Sequence, residues 1–147
     1  MKALKTAQRA ADEHERQRAE ALGARERRVK ECETKLQELE NYEANYAREF
    51  TRRARDGMGA AGLREFQTFL ARLAEAVQQQ REIVRRARAE RDSDLTVWQH
   101  AAQRAEMVDR VVKRREREEV RAQDRKEQRE SDERAQRRPA RNLDAST

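Results

Sequence analysis

Between Leu63 and Val112 the apolar side chains recur at alternating steps of three and four residues, and that spacing restricts the fold more than any other feature of the chain. One set of positions runs Leu63, Leu70, Val77, Val84, Arg91, Trp98, Ala105 and Val112; the other runs Phe66, Leu73, Gln80, Ala87, Asp94, Ala101 and Val108. A seven-residue repeat keeps one narrow stripe of a helix against a partner helix in a left-handed supercoil. Three of the positions, Gln80, Arg91 and Asp94, are polar, so the middle of the seam is expected to hold loosely and to set register more than stability. Beyond Val112 the stripe fades, and Ala122 is the last apolar residue in phase.

Upstream, Leu22, Val29 and Leu36 alternate with Cys32 and Leu39 in the same way. The stripe then shifts to Tyr42, Tyr46 and Phe50, four apart, while Leu4, Ala7, Ala11 and His14 read as out of frame with the stripe that starts at Leu22. The first turns are therefore expected to fray. Between the patterned segments, Gly57, Gly59 and Gly62 gather in one short stretch. Gly57 suits a helix C-cap, because a left-handed residue there carries no Cβ penalty.

The expected fold is all-α: a long antiparallel two-helix coiled coil, or helical hairpin, with the longer helix second. The divisions are a first helix over 1–56, a turn over 57–62, a second helix over 63–138 that overhangs its mate, and a loose tail over 139–147 after Pro139. At 1.5 Å per residue the helices would reach ~80 Å and ~110 Å. With the turn at 57–62, facing residues should have numbers adding to roughly 120, which sets Leu39 near Gln80 and Leu22 near Trp98.

Composition fits such a fold and excludes others. Charged residues make up 44% of the chain and hydrophobic ones 35%, too few apolar side chains for a two-layer globular core but enough for a seam. The net charge of +6 raises the possibility of an anionic partner. Lys and Arg nevertheless alternate with Asp and Glu nearly everywhere, as in Arg114–Glu119, which is how solvated helix faces look. A lone cysteine forms no internal disulfide, and no run of about twenty apolar residues is present, so a cytosolic protein is expected.

Catalysis needs polar groups converging in a pocket, which a helix pair does not offer. His14, His100 and Cys32 lack metal-ligand spacing, and the glycine cluster lacks the Lys-Ser/Thr and preceding strand of a phosphate loop. No enzyme activity, metal or cofactor is expected. The strip Phe69, Leu73, Ala76 and Gln80 suits docking of an apolar surface, with Tyr42 and Tyr46 on the facing helix adding amphipathic area. Trp98 reads as core. The later Arg121, Arg125 and Arg129 sit on a helix expected to carry both charges on every face, a weak nucleic-acid footprint without aromatic platforms.

The ordered set Leu39-Glu40-Asn41-Tyr42 with Tyr46, a glycine-containing turn, Phe66-Gln67-Thr68-Phe69-Leu70-Ala71-Arg72-Leu73-Ala74-Glu75-Ala76-Val77-Gln78-Gln79-Gln80-Arg81, then Trp98 and Asp132-Glu133-Arg134-Ala135, resembles the flagellar export protein FliJ family over nearly the whole chain. The resemblance implies a cytoplasmic stalk, peripheral at the inner-membrane base of the flagellum, that inserts its paired termini into the hexameric export ATPase and stimulates it. It further implies docking on the membrane-embedded export-gate protein and escort of export chaperones. Carried over by position, Phe69, Leu73, Ala76, Gln80, Tyr42 and Tyr46 would face the gate, and Arg121, Arg125, Arg129, Asp132, Glu133 and Leu4 the ATPase ring. Leu22, Val29, Leu36, Leu39, Leu63, Phe66, Leu70, Val77, Val84 and Trp98 would form the coiled-coil core. The competing expectations are a basic coiled coil that binds nucleic acid, and the equivalent stalk of a virulence type III system.

Overall fold

The computed structural model describes the backbone over residues 1–145 and the side chains over residues 1–138. Two helices account for almost all of it: α1, Lys2–Asp56, and the longer α2, Ala60–Ala145. The fold is an all-α helical hairpin, with no strand among the described residues. Gly57 ends α1 in the left-handed region at φ 92°, and the Gly59 carbonyl accepts the first α2 bond from the Leu63 amide at 2.9 Å. Between the two helices only Gly57, Met58 and Gly59 are left, fewer than the expected 57–62. Nor does α2 stop before Pro139, since a proline penalises a helix by removing one donor without forbidding it. Of the expected tail, the last two residues lie outside the described ones.

The chain forms two compact units, one of Glu15–Ala101 and one of Met1–His14 with the chain from Ala102 onward. In the first, α1 and α2 run antiparallel: Tyr46 meets Phe66, Cys32 meets Gln80, Arg25 meets Asp94 and Glu15 meets Trp98. Gln80 and Trp98 thus face positions one heptad nearer the N-terminus than the expected Leu39 and Leu22. The tight turn is the cause, because a hairpin centred on Met58 pairs lower-numbered residues than one centred after Gly59.

In α2 every heptad position from Leu63 to Ala101 is buried or half-buried. Val77 is the most completely enclosed, and Val29, Cys32, Val84 and Ala87 form a buried cluster against which Leu36 packs. Each fully buried valine contributes about 1.5–3 kcal/mol of transfer free energy. The polar seam residues are matched across the pair. The Gln80 amide donates to the Cys32 carbonyl at 3.0 Å, the Trp98 indole to Glu15 at 2.8 Å, and Arg25 to Asp94 at 3.1 Å and Glu90 at 2.7 Å.

These matches also correct the expected frame of α1. Tyr46 and Phe50 stay in phase with Leu22, Val29 and Cys32, and only Tyr42 leaves the seam. Counted backward the same frame reaches Glu15, Ala11, Gln8 and Leu4, all buried or half-buried. Polar residues at 8, 15, 18, 25 and 43 hid it. Arg18 and Arg25 fill seam positions while staying exposed, the Arg25 head turned to Asp94 and Glu90.

In the second unit Ala11, Ala105 and Val112 are buried, Gln8 donates to Asp109 at 2.8 Å, and Lys5 lies 3.7 Å from Glu116. The helix forms from Lys2 onward, with the Lys5 amide bonded to the Met1 carbonyl at 3.0 Å. From Lys113 to Arg138 every side chain of α2 is exposed. Local pairs support this stretch, Gln123 donating to Glu127 and Gln128 to Asp132, each at 3.1 Å. No helix of the described residues is long and apolar enough to cross a membrane.

Candidate functional site

All three phenylalanines and both tyrosines of the chain come together near the turn, in the unit Glu15–Ala101. Phe66 and Phe50 form the floor, with ring centres 5.4 Å apart, and the Arg53 guanidinium covers the Phe66 ring at 5.7 Å. Above them Phe69 meets Tyr46 edge-on at 4.9 Å, and Tyr42 stacks on Tyr46 at 6.3 Å. The outer three are open, Tyr42 57% exposed, Phe69 44% and Tyr46 37%. Offset and edge-to-face contacts hold the rings in one arrangement, so both helices present a single preformed aromatic surface with two hydroxyls at its margin.

Part of the expected docking strip belongs to this surface and part does not. Leu73 and Ala76 are half-buried beside it. Gln80, at 4% exposure, is turned into the seam, its amide committed to the Cys32 carbonyl. A polar side chain at a seam position satisfies its donors inward, so Gln80 offers nothing to a surface partner. Trp98 and the other expected core residues are buried or half-buried.

The residues expected against an ATPase ring lie in the other unit. Arg121, Arg125 and Arg129 are exposed, as is Glu133; Asp132 accepts from Gln128, and Leu4 is half-buried. Arg114, Arg117, Arg121 and Arg125 succeed one another at steps of three and four and so share one face, with Glu118 standing among them, so that this face too carries both charges. None of the four has an ion pair among the described residues, whereas upstream arginines such as Arg85 and Arg110 are paired locally. Sequence inspection missed this line because adjacent residues alternate in sign, while only residues a turn apart are neighbours on a helix.

Local pairing also sets the titration of the exposed carboxylates. Hydrogen bonding from Arg85, with Arg86 nearby, holds the Glu82 carboxyl down at about 2, and Arg52 and Arg53 lower that of Glu49. Lys113 lowers Asp109, with help from Gln8, and is itself raised by it. No three of the His, Cys, Asp and Glu side chains among the described residues converge as cation ligands would.

The family described as flagellar FliJ protein matches residues 1–144. No curated protein and no solved structure matches the chain. A match that takes in α1, the turn and nearly all of α2 spans both the aromatic surface and the line of unpaired arginines, and the chain therefore belongs to the flagellar FliJ family.

Proposed function

We propose that this chain, whose family places it in flagellar protein export, is the stalk of the export ATPase. The exposed stretch of α2 enters the ring of that hexameric enzyme and stimulates hydrolysis without performing it. The single observation that carries this reading is the helix from Lys113 to Arg138, exposed at every side chain, with its line of arginines that have no ion pair among the described residues. A lone helix this polar gains little from its own i,i+4 pairs, so an enclosing partner supplies the contacts that keep it ordered. Guanidinium groups suit that role because they pair with carboxylates in a fixed fork and, being weakly hydrated, lose little when a partner encloses them.

The aromatic surface of Tyr42, Tyr46 and Phe69 takes the export-gate membrane protein and, in turn, export chaperones that deliver their substrates there. The chain then acts in the cytoplasm, held at the inner membrane through its partners. Truncation after Val112 is expected to abolish stimulation of ATP hydrolysis by the purified hexamer while leaving gate binding intact. Phe69→Asp should do the reverse. Equal loss of both activities in both variants would show that the two segments do not divide the work.

A further inference from the structure

In the unit formed by Met1–His14 and the chain from Ala102 onward, the two helices contribute unequally to the seam. From α2 come Ala105 and Val112, both buried, and the half-buried Val108. From α1 come one buried residue, Ala11, and the half-buried Met1, Leu4 and Gln8. Gln8 and Ala11 stand at the heptad positions that Val29 and Cys32 fill further along α1. Small and polar side chains remove little apolar surface from water, so they offset only part of the entropy lost when this arm is ordered.

The polar contacts of the arm are weak holds as well. Lys5 lies 3.7 Å from Glu116, and both side chains are about half exposed, which leaves the pair open to water and salt. The Gln8 amide donates to Asp109 at 2.8 Å, but Asp109 also holds Lys113 at 2.9 Å on its own helix. When the arm leaves, Asp109 keeps its cation and Gln8 turns to water, so no buried polar group is stranded. By contrast the unit Glu15–Ala101 buries Val29, Cys32, Val77, Val84 and Ala87, and ties Gln80 to the Cys32 carbonyl inside the seam. A segment with few buried apolar contacts opens by itself, at a fraction of the cost of global unfolding.

We propose that Met1–His14 is a strap, an arm of α1 that lifts from α2 while the unit Glu15–Ala101 stays closed. Docked, it covers Ala105, Val108 and Val112. Lifted, it joins those three to the exposed Val111 as one apolar stripe on α2, next to the exposed stretch that starts at Lys113. The strap thereby sets how much of α2 is open to a partner. Its opening is a property of the hairpin and does not rest on what that partner is.

The test uses the full chain carrying Ala105→Cys, in which Cys32 reports on the closed unit and the introduced thiol on the strap. Both positions are buried. Their rates of modification by iodoacetamide, read by peptide mass spectrometry and divided by the rates of the same thiols in urea, report how often each position is bared. The introduced thiol should react about 100-fold faster than Cys32. Gln8→Leu, which places an apolar side chain at a half-buried seam position, should slow that reaction about ten-fold and leave the rate at Cys32 unchanged. Equal protection of the two thiols would overturn the proposal, because the helix pair would then open as one. Fast reaction of the introduced thiol that Gln8→Leu does not slow would overturn it too, since that position would be reached without any movement of the arm.

Discussion

Gln80 shows how a single polar residue can specify a seam. Its amide has one partner within reach, the Cys32 carbonyl at 3.0 Å, and no acidic or basic group competes for it in the seam. Replacing it by glutamate sets two acceptors against each other in a buried place, which raises the new carboxyl's pKa. Gln80→Glu is therefore expected to lose about 2–3 kcal/mol at pH 7. Because the raised group stabilises the fold only when protonated, part of that loss should return as pH falls through its folded-state pKa, as urea denaturation at pH 7 and pH 5 would show. Gln80→Leu should be neutral or stabilising, since it leaves no unpaired donor. Loss of stability in the leucine variant would mean that the amide contributes more than register.

At the scale of the helices, the glycines divide by backbone conformation. Gly57 sits at φ 92°, where any side chain is strained, although a Cβ would meet no atom within 4 Å. Gly57→Ala should therefore cost about 1 kcal/mol. Gly23 lies inside α1 in ordinary helical geometry, and a Cβ there would meet only the end of the Arg27 side chain at 3.6 Å. Gly23→Ala should gain about 0.5–1 kcal/mol, by the helix propensity of alanine. Thermal denaturation of the two variants should move in opposite directions, and movement in the same direction would contradict the capping role of Gly57. The stretch of α2 beyond Val120 touches no other element among the described side chains, so removing it should lower the helical signal without lowering the midpoint.

For the whole molecule, charge is the main variable. With 35 Lys and Arg against 29 Asp and Glu, neutralising the carboxylates leaves the basic residues uncompensated. The carboxyls of Glu49, Glu82 and Asp109 are lowered in the folded chain, Glu82 to about 2, by the arginines and lysine bonded to them. A lowered acid contributes stability that is fully present above its unfolded pKa and lost as pH falls through the folded value. The melting temperature should accordingly hold down to about pH 5 and decline from about 4.5 toward 2. These pairs are exposed, so the individual effects are small and salt should reduce them. A chain that melts at the same temperature at pH 7 and pH 2.5 would show that the ion pairs carry none of the stability.

Periodicity and glycine placement determined the fold by themselves. Fifty residues of alternating three and four spacing admit little besides a paired helix, and Gly57 admits little besides a turn. The aromatic surface was partly legible too, because Phe69, Tyr42 and Tyr46 stand a turn apart or on facing helices. Only the tertiary structure decided the register. That depends on how few residues the turn uses and on polar contacts across the seam, such as Trp98 with Glu15 and Arg25 with Asp94, which make polar seam positions compatible with one frame. The same pairing decided that Gln80 faces inward while Ile83 and Val97 face out. Which charged residues meet across the seam is a property of two helices together, and neither helix alone contains it.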